Sequence, residues 1–180
     1  MLSERMVEAL NRQVNREIYS AYLYLSMSAY STFKGLDGFA NWFMVQYQEE
    51  MAHAMKIYDY INDQGVQVRL MAVEQPPTEF GSPLEMFEKT LEHEKFVTKC
   101  INDLVNVAIE EKDHATKSFL QWFVTEQIEE EANDNDIIAK LRLVGKEGNR
   151  LSMIDKELAT RVFVPPAASE ESQDQERGDK

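Results

Sequence analysis

Apolar residues recur along this chain at alternating three- and four-residue spacings, over long stretches without internal breakers. That period belongs to a helix with one buried face, and nowhere does a strand-like alternation compete with it over a useful length. Four long helices are predicted, roughly Ser3 to Phe33, Gly38 to Gln64, Ser82 to Lys112 and Asp113 to Val144, with a shorter fifth over about Arg150 to Thr160. Local chemistry marks their ends. Ser3 stands where an N-cap is needed ahead of Met6 and Val7, and Ser82-Pro83-Leu84-Glu85 combines an N-cap serine, a first-turn proline and a capping-box glutamate. Lys34-Gly35-Leu36-Asp37, Gly65 and Gly145 close the first, second and fourth helices.

The link Val66 to Gly81 contains Pro76-Pro77 and cannot be helical throughout. Extended, it reaches on the order of 50 Å, enough to return along a 27-residue helix of roughly 40 Å. Short loops force antiparallel neighbours, so the first and last pairs are helical hairpins, and the long link lets the second and third helices run parallel. The expected architecture is all-α, a four-helix bundle with one long crossover between the second and third helices and a short fifth helix. Residues 1–163 would form that single domain; 164–180 have no large apolar residue after Val164 and read as a polar, disordered tail.

Composition narrows the function. At 180 residues, with 43% apolar and 28% charged side chains, one globular domain is expected. Cys100 is the only cysteine, which excludes an intrachain disulfide or a Cys-rich metal site and fits a reducing cytoplasm. The chain opens without an apolar signal region and has no uncharged run of the ~18 residues a membrane span needs, so a soluble cytoplasmic protein without membrane partners is expected. Lys and Arg number 19 against 32 Asp and Glu, a net charge of −13, which argues against nucleic acid and allows cationic partners.

Placement of the acids decides between cation binding and mere solubility. The core stripes are Leu10, Val14, Glu17, Ala21, Tyr24 and Ser28 in the first helix, and Phe43, Gln46, Glu50, His53, Ile57 and Tyr60 in the second. In the third the stripe is Phe87, Leu91, Glu94, Thr98, Ile101 and Val105, and in the fourth Leu120, Phe123, Gln127, Glu130, Asp134, Ile137 and Leu141. Each is interrupted by a carboxylate near its middle, so Glu17, Glu50, Glu94 and Glu130 fall at one level of the bundle. One such glutamate is usually a stripe edge facing water. Four together in an apolar core would repel and cost several kcal/mol each in desolvation unless a cation joins them. His53, one turn from Glu50, completes Glu-x-x-His, a spacing at which carboxylate and imidazole reach a common metal position. Such ligands without thiolate suit iron, manganese or zinc.

Other residues carry weaker signals. Glu126 and Glu129 fall beside the fourth stripe and Glu49 beside the second, where they could form a third cation position with Glu130 or simply a solvated face. Tyr24, two turns from Glu17, needs a polar partner if buried and could bond a ligand carboxylate or supply an electron. Trp122 and Met51 are expected to pack, while His93 and His114 lack partners at helical spacing and are expected on the surface.

Taken together, Leu-Asn-Arg-Gln-Val-Asn-Arg-Glu17, Tyr-Leu-Tyr24, Gln-Glu49-Glu50-Met-Ala-His53, His-Glu94, Trp122-Phe-Val-Thr-Glu126-Gln127-Ile-Glu129-Glu130 and the later Ile-Asp-Lys-Glu-Leu resemble the ferritin family, most closely its prokaryotic non-haem branch. A single long crossover is also a mark of ferritin-like bundles. The resemblance implies a ferroxidase centre with Glu17, Glu50 and His53 at one iron, Glu50 bridging to a second held by Glu94 and Glu130, and Gln127 alongside. It further implies Glu49, Glu126, Glu129 and Glu130 as a third iron site, and Tyr24 beside the centre. Iron(II) would be oxidised by O2 or H2O2 and stored as ferric mineral in a homo-oligomeric shell of twenty-four subunits, without haem. The second Glu-x-x-His of bacterioferritins and rubrerythrins is replaced here by Gln127-Ile-Glu129-Glu130. A di-metal oxidase or peroxidase that never stores iron, and a metal buffer without turnover, are the alternatives.

Overall fold

The computed structural model describes residues 2–145 and 148–166, and within them all regular structure is helical. The helices are α1 (Glu4–Phe33), α2 (Asp37–Asp63), α3 (Pro83–Glu110), α4 (His114–Val144) and α5 (Gly148–Leu158). Their ends follow the capping chemistry. Ser3 accepts from the Met6 amide, and Ser82 and Glu85 complete a capping box at the start of α3. The third helix stops two residues before the expected Lys112, because that residue turns into the left-handed region at φ 57° and leaves Asp113 to cap α4 through the Thr116 amide. Each such cap contributes about 1 kcal/mol.

The long link returns along α1. Arg69 donates its amide to Asn11 Oδ1 (2.6 Å), Asn15 donates to the Ala72 carbonyl (3.1 Å), Ser26 to Pro77 (2.7 Å) and Tyr30 to Gly81 (3.2 Å). Positions rising on both segments mean that the link runs parallel to α1, hence opposite to α2. The third helix therefore starts beside the end of α1 and runs parallel to α2, which makes the molecule the expected bundle with one crossover. The pairs α1–α2 and α3–α4 pack lengthwise, α1 also meets α3, and α5 docks on α2 and α4.

Two apolar clusters fill the interior. One end is aromatic, with Tyr24, Phe39, Trp42, Phe43 and Phe87 joined by Ile154 and Leu158 of α5. The other is largely aliphatic, with Met6, Leu10, Val14, Ile57, Ile61, Val97, Ile101, Leu104 and Leu120. A layer of buried polar side chains lies between them. The stripe of α3 is rotated from expectation: Thr90, Val97 and Leu104 are buried, while Leu91, Thr98 and Val105 are only half-buried. The cause is that α3 faces α1 as well as α4, as the contact of Thr90 Oγ1 with Met27 Sδ at 3.7 Å shows. Of the expected polar tail, residues 167–180 lie outside the described residues.

Candidate metal centre

Helical periodicity carries Glu17 from α1, Glu50 and His53 from α2, Glu94 from α3, and Gln127 and Glu130 from α4 into the layer between the two clusters. All six are at most 4% exposed. One potential ligand atom each from Glu17, Glu50 and His53 lies within 4.8 Å of the others, and the same holds for His53, Glu126 and Glu130. The imidazole belongs to both groups, with Nδ1 3.6 Å from Glu50 and Nε2 3.9 Å from Glu126. Either group could hold a cation.

Glu94 stands outside both groups, held by neighbours. It accepts a short hydrogen bond from the Tyr24 hydroxyl and another from Gln127 Nε2 (3.0 Å). Glu130 accepts from Gln46 (2.8 Å), and Glu17 from Gln13 (2.7 Å). These bonds aim the carboxylates without neutralising them. Glu17 Oε2, Glu50 Oε2 and both carboxylate oxygens of Asp134 are buried with no hydrogen-bond partner among the described residues.

The electrostatics tell the same story. Burial pushes Glu50 well above the usual carboxylate range, helped by the charges of Glu94 and Glu17. Burial likewise lifts Glu94 to about 7, despite the lowering bonds from Tyr24 and Gln127, and Glu130 to about 8, with Glu94 adding to it and His53 opposing. Asp134 rises to about 9, first from burial and then from Glu94 and Glu130. The Tyr24 phenol is raised well above its ordinary value, by burial and then by Glu94. Each group is resisting negative charge that only a cation or a proton can offset.

The outer carboxylates differ among themselves. Glu126 is half-buried and reaches His53 and Glu130, Glu49 is half-buried and paired with Arg161 (2.5 Å), and Glu129 is exposed and belongs to neither group. Trp122 packs edge-on against His53, and Met51 is half-buried. His114 is exposed as expected, but His93 corrects the surface reading. It is half-buried, 2.7 Å from Ser20 Oγ and edge-on to Tyr24, and burial lowers it to about 4. A lone histidine gave no sign of this, since its partners come from α1.

Four participants were not singled out from sequence. Gln46 and Asp134 lay on the traced stripes, where any polar residue is a signal. Gln13 is one turn before Glu17, and Arg161 comes from beyond the bundle, with no periodicity to betray it.

Comparison with known proteins agrees with the fold. The model of the ferritin-like domain matches residues 7–144. The chain is 44% identical over 163 residues to a bacterial non-heme ferritin of Staphylococcus aureus, covering 91% of this chain and 98% of that one. With its counterpart from Campylobacter jejuni the identity is 46% over 156 residues, covering 87% and 93%. Among solved structures, an engineered closed form of the Archaeoglobus fulgidus ferritin superposes with a TM-score of 0.90 at 57% identity, covering 91% of this chain and all of that one. The open-pore ferritin of the same archaeon gives 0.89 at 57% identity, covering 90% of this chain and 100% of that one. The chain belongs to the ferritin family.

Proposed function

We propose that this protein is an iron-storage subunit with ferroxidase activity, oxidising Fe(II) with O2 or H2O2 and passing Fe(III) to a mineral inside a homo-oligomeric shell of twenty-four copies. The observation that carries the reading is the buried layer of carboxylates and one imidazole from four helices, with oxygens that have no partner among the described residues. Glu17, Glu50 and His53 hold one Fe(II). Glu94 and Glu130 hold the second, with Glu50 between the two and Gln127 hydrogen-bonded to Glu94. Two ions close together can deliver two electrons to the oxidant at once. The negative charge concentrated here favours Fe(III) over Fe(II), and metal-bound water becomes acidic enough to supply hydroxide for the ferric product. Tyr24 orients Glu94 and lies close enough to lend an electron. Glu126 and Glu130, with Glu49 beside them, make an outer cation position through which iron is transferred onward, and Glu129 stands exposed at its edge.

Stopped-flow absorbance under air tests the centre. Glu50→Ala and His53→Ala should nearly abolish rapid Fe(II) oxidation; wild-type rates in both variants would refute the assignment. Storage is separated from a simple di-metal oxidase by the iron taken up per assembly, together with the assembly's mass. A storage shell accumulates hundreds of ions, an oxidase only a few per chain.

A further inference from the structure

The chain beyond α5 reaches back to the outer carboxylates. Asp155 of α5 accepts hydrogen bonds from the amides of Gly38 (2.9 Å) and Phe39 (3.1 Å), capping the start of α2. The contact is so close that a Cβ on Gly38 would lie 1.6 Å from the Asp155 carbonyl oxygen. Asn41 then holds the carbonyls of Leu158 (3.2 Å) and Arg161 (2.9 Å). The backbone at Arg161 is thereby moored to the first turns of α2.

From that mooring the Arg161 guanidinium lies over the Trp42 ring at 4.5 Å, donates through Nη1 to Gln46 Oε1 (2.7 Å) and through Nη2 to Glu49 Oε2 (2.5 Å). Trp42, Gln46 and Glu49 follow one another at helical spacing, so one face of α2 presents a stacking ring, an acceptor and a counter-charge to a single planar cation. Gln46 donates in turn to Glu130 (2.8 Å), which links the guanidinium to the metal layer. Both partners of the ion pair are only 21% exposed, so this pair is better shielded from water than a surface salt bridge. Glu49 also feels the charges of His53 and Glu126.

We infer that Arg161 is a built-in counter-cation for the outer carboxylate position, which a metal ion must displace from Glu49 in order to bind there. This rests on the reading of Glu49, Glu126 and Glu130 as a cation position. A displaceable guanidinium makes that position weaker than the inner layer and the last to fill. Its return helps to expel the ion, which suits a transfer station better than a store. Filling the position also frees the segment after α5 from Trp42.

The test is titration of the iron-free assembled protein with Zn2+, which neither oxidises nor quenches strongly. Calorimetry counts and ranks the equivalents bound per subunit, and Trp42 emission in a Trp122→Phe background reports whether the guanidinium has left the ring. Arg161→Gln should tighten the weakest equivalent by about tenfold, the worth of one shielded ion pair, whereas Arg161→Lys, which keeps a cation, should stay much nearer the wild type. A wild type that binds two equivalents and an Arg161→Gln protein that binds three would be the same result at its limit. Where the wild type binds a third equivalent, that equivalent alone should shift Trp42 emission. Equal or weaker binding in Arg161→Gln, or unmoved Trp42 emission as the outer position fills, overturns the inference. Undiminished weak binding in Glu126→Ala would instead overturn the outer position itself, whatever Arg161 does.

Discussion

The inner and outer carboxylates lie within a turn or two of one another on α2 and α4, yet the protein satisfies them in different ways. Glu17, Glu50 and Asp134 keep buried oxygens without partners among the described residues, and the nearest hydrogen bonds in the layer orient Glu94 and Glu130 without cancelling their charge. Glu49, by contrast, has Arg161, and Glu129 is exposed. The inner layer is thus at ease only with an imported cation or with bound protons. At the outer rim burial still raises Glu49, but Arg161 opposes it, so the two should differ in affinity, in order of filling and in what they contribute to folding.

The largest effect expected from that difference is on stability without metal. Replacing Glu50 by Leu removes the acid most crowded by other carboxylates and fills the space with apolar atoms, which should stabilise the metal-free protein by about 1–4 kcal/mol. The stabilisation that Zn2+ gives the wild type should largely vanish in this variant. Thermal unfolding with and without Zn2+ measures both. A lower Tm for metal-free Glu50→Leu would mean that the carboxylate is satisfied within the fold, and the contrast with the rim would collapse.

The pH dependence comes next. Glu94, Glu130 and Asp134 stand at about 7, 8 and 9 when folded, against about 4 for carboxylates in an unfolded chain. The folded state therefore binds more protons between these limits. Metal-free stability should be greatest near pH 4, as far as these groups are concerned, and fall as pH rises toward 9. Metal binding has the opposite slope, because ligands must lose protons to accept an ion. Denaturation of the stripped protein at pH 5.5 and 8.5, repeated with Zn2+, should show metal-free stability falling and the gain from Zn2+ growing; a flat metal-free profile would contradict the raised carboxyls.

Much of the inner layer was legible because helical periodicity is a ruler. Glu17, Glu50 and Glu130 fell on stripes whose other members are buried, and even Glu94 was placed correctly although the face of α3 is rotated by about one residue from its traced stripe. What periodicity cannot supply is the partner across a helix boundary. His93 looked unattached because Ser20 and Tyr24 lie on α1, and Arg161 was invisible because it follows α5 and reaches α2 by a tertiary contact. Asp134 was a different omission. It stood on a traced stripe among apolar neighbours, and a fifth buried acid was there to be weighed.

A smaller effect is expected at Asp134, which lies one turn beyond Glu130 at the border of the aromatic cluster with Ile137. Asp134→Leu should raise metal-free stability at pH 8.5 by about 1–3 kcal/mol, with less gain at pH 5.5, where holding a proton on the native carboxyl costs less relative to the unfolded chain. Chemical denaturation at the two pH values resolves this. An equal gain at both would assign the effect to packing alone.

The smallest effect separates two outer glutamates three residues apart. Glu126 lies within 4.8 Å of ligand atoms on His53 and Glu130, whereas Glu129 is exposed and joins no such group. A solvated carboxylate gains little from a cation that water can serve as well, so charge alone should not make the two equivalent. Glu126→Ala should alter the iron-to-oxygen stoichiometry and slow later turnovers while sparing most of the first rapid oxidation; Glu129→Ala should change either by less than about twofold, the scale of a surface contact. Oxygen-electrode stoichiometry alongside multi-turnover absorbance distinguishes them. Matching defects would show that Glu129 turns inward when iron arrives, and matching wild-type behaviour would reduce the outer rim to a solvated face.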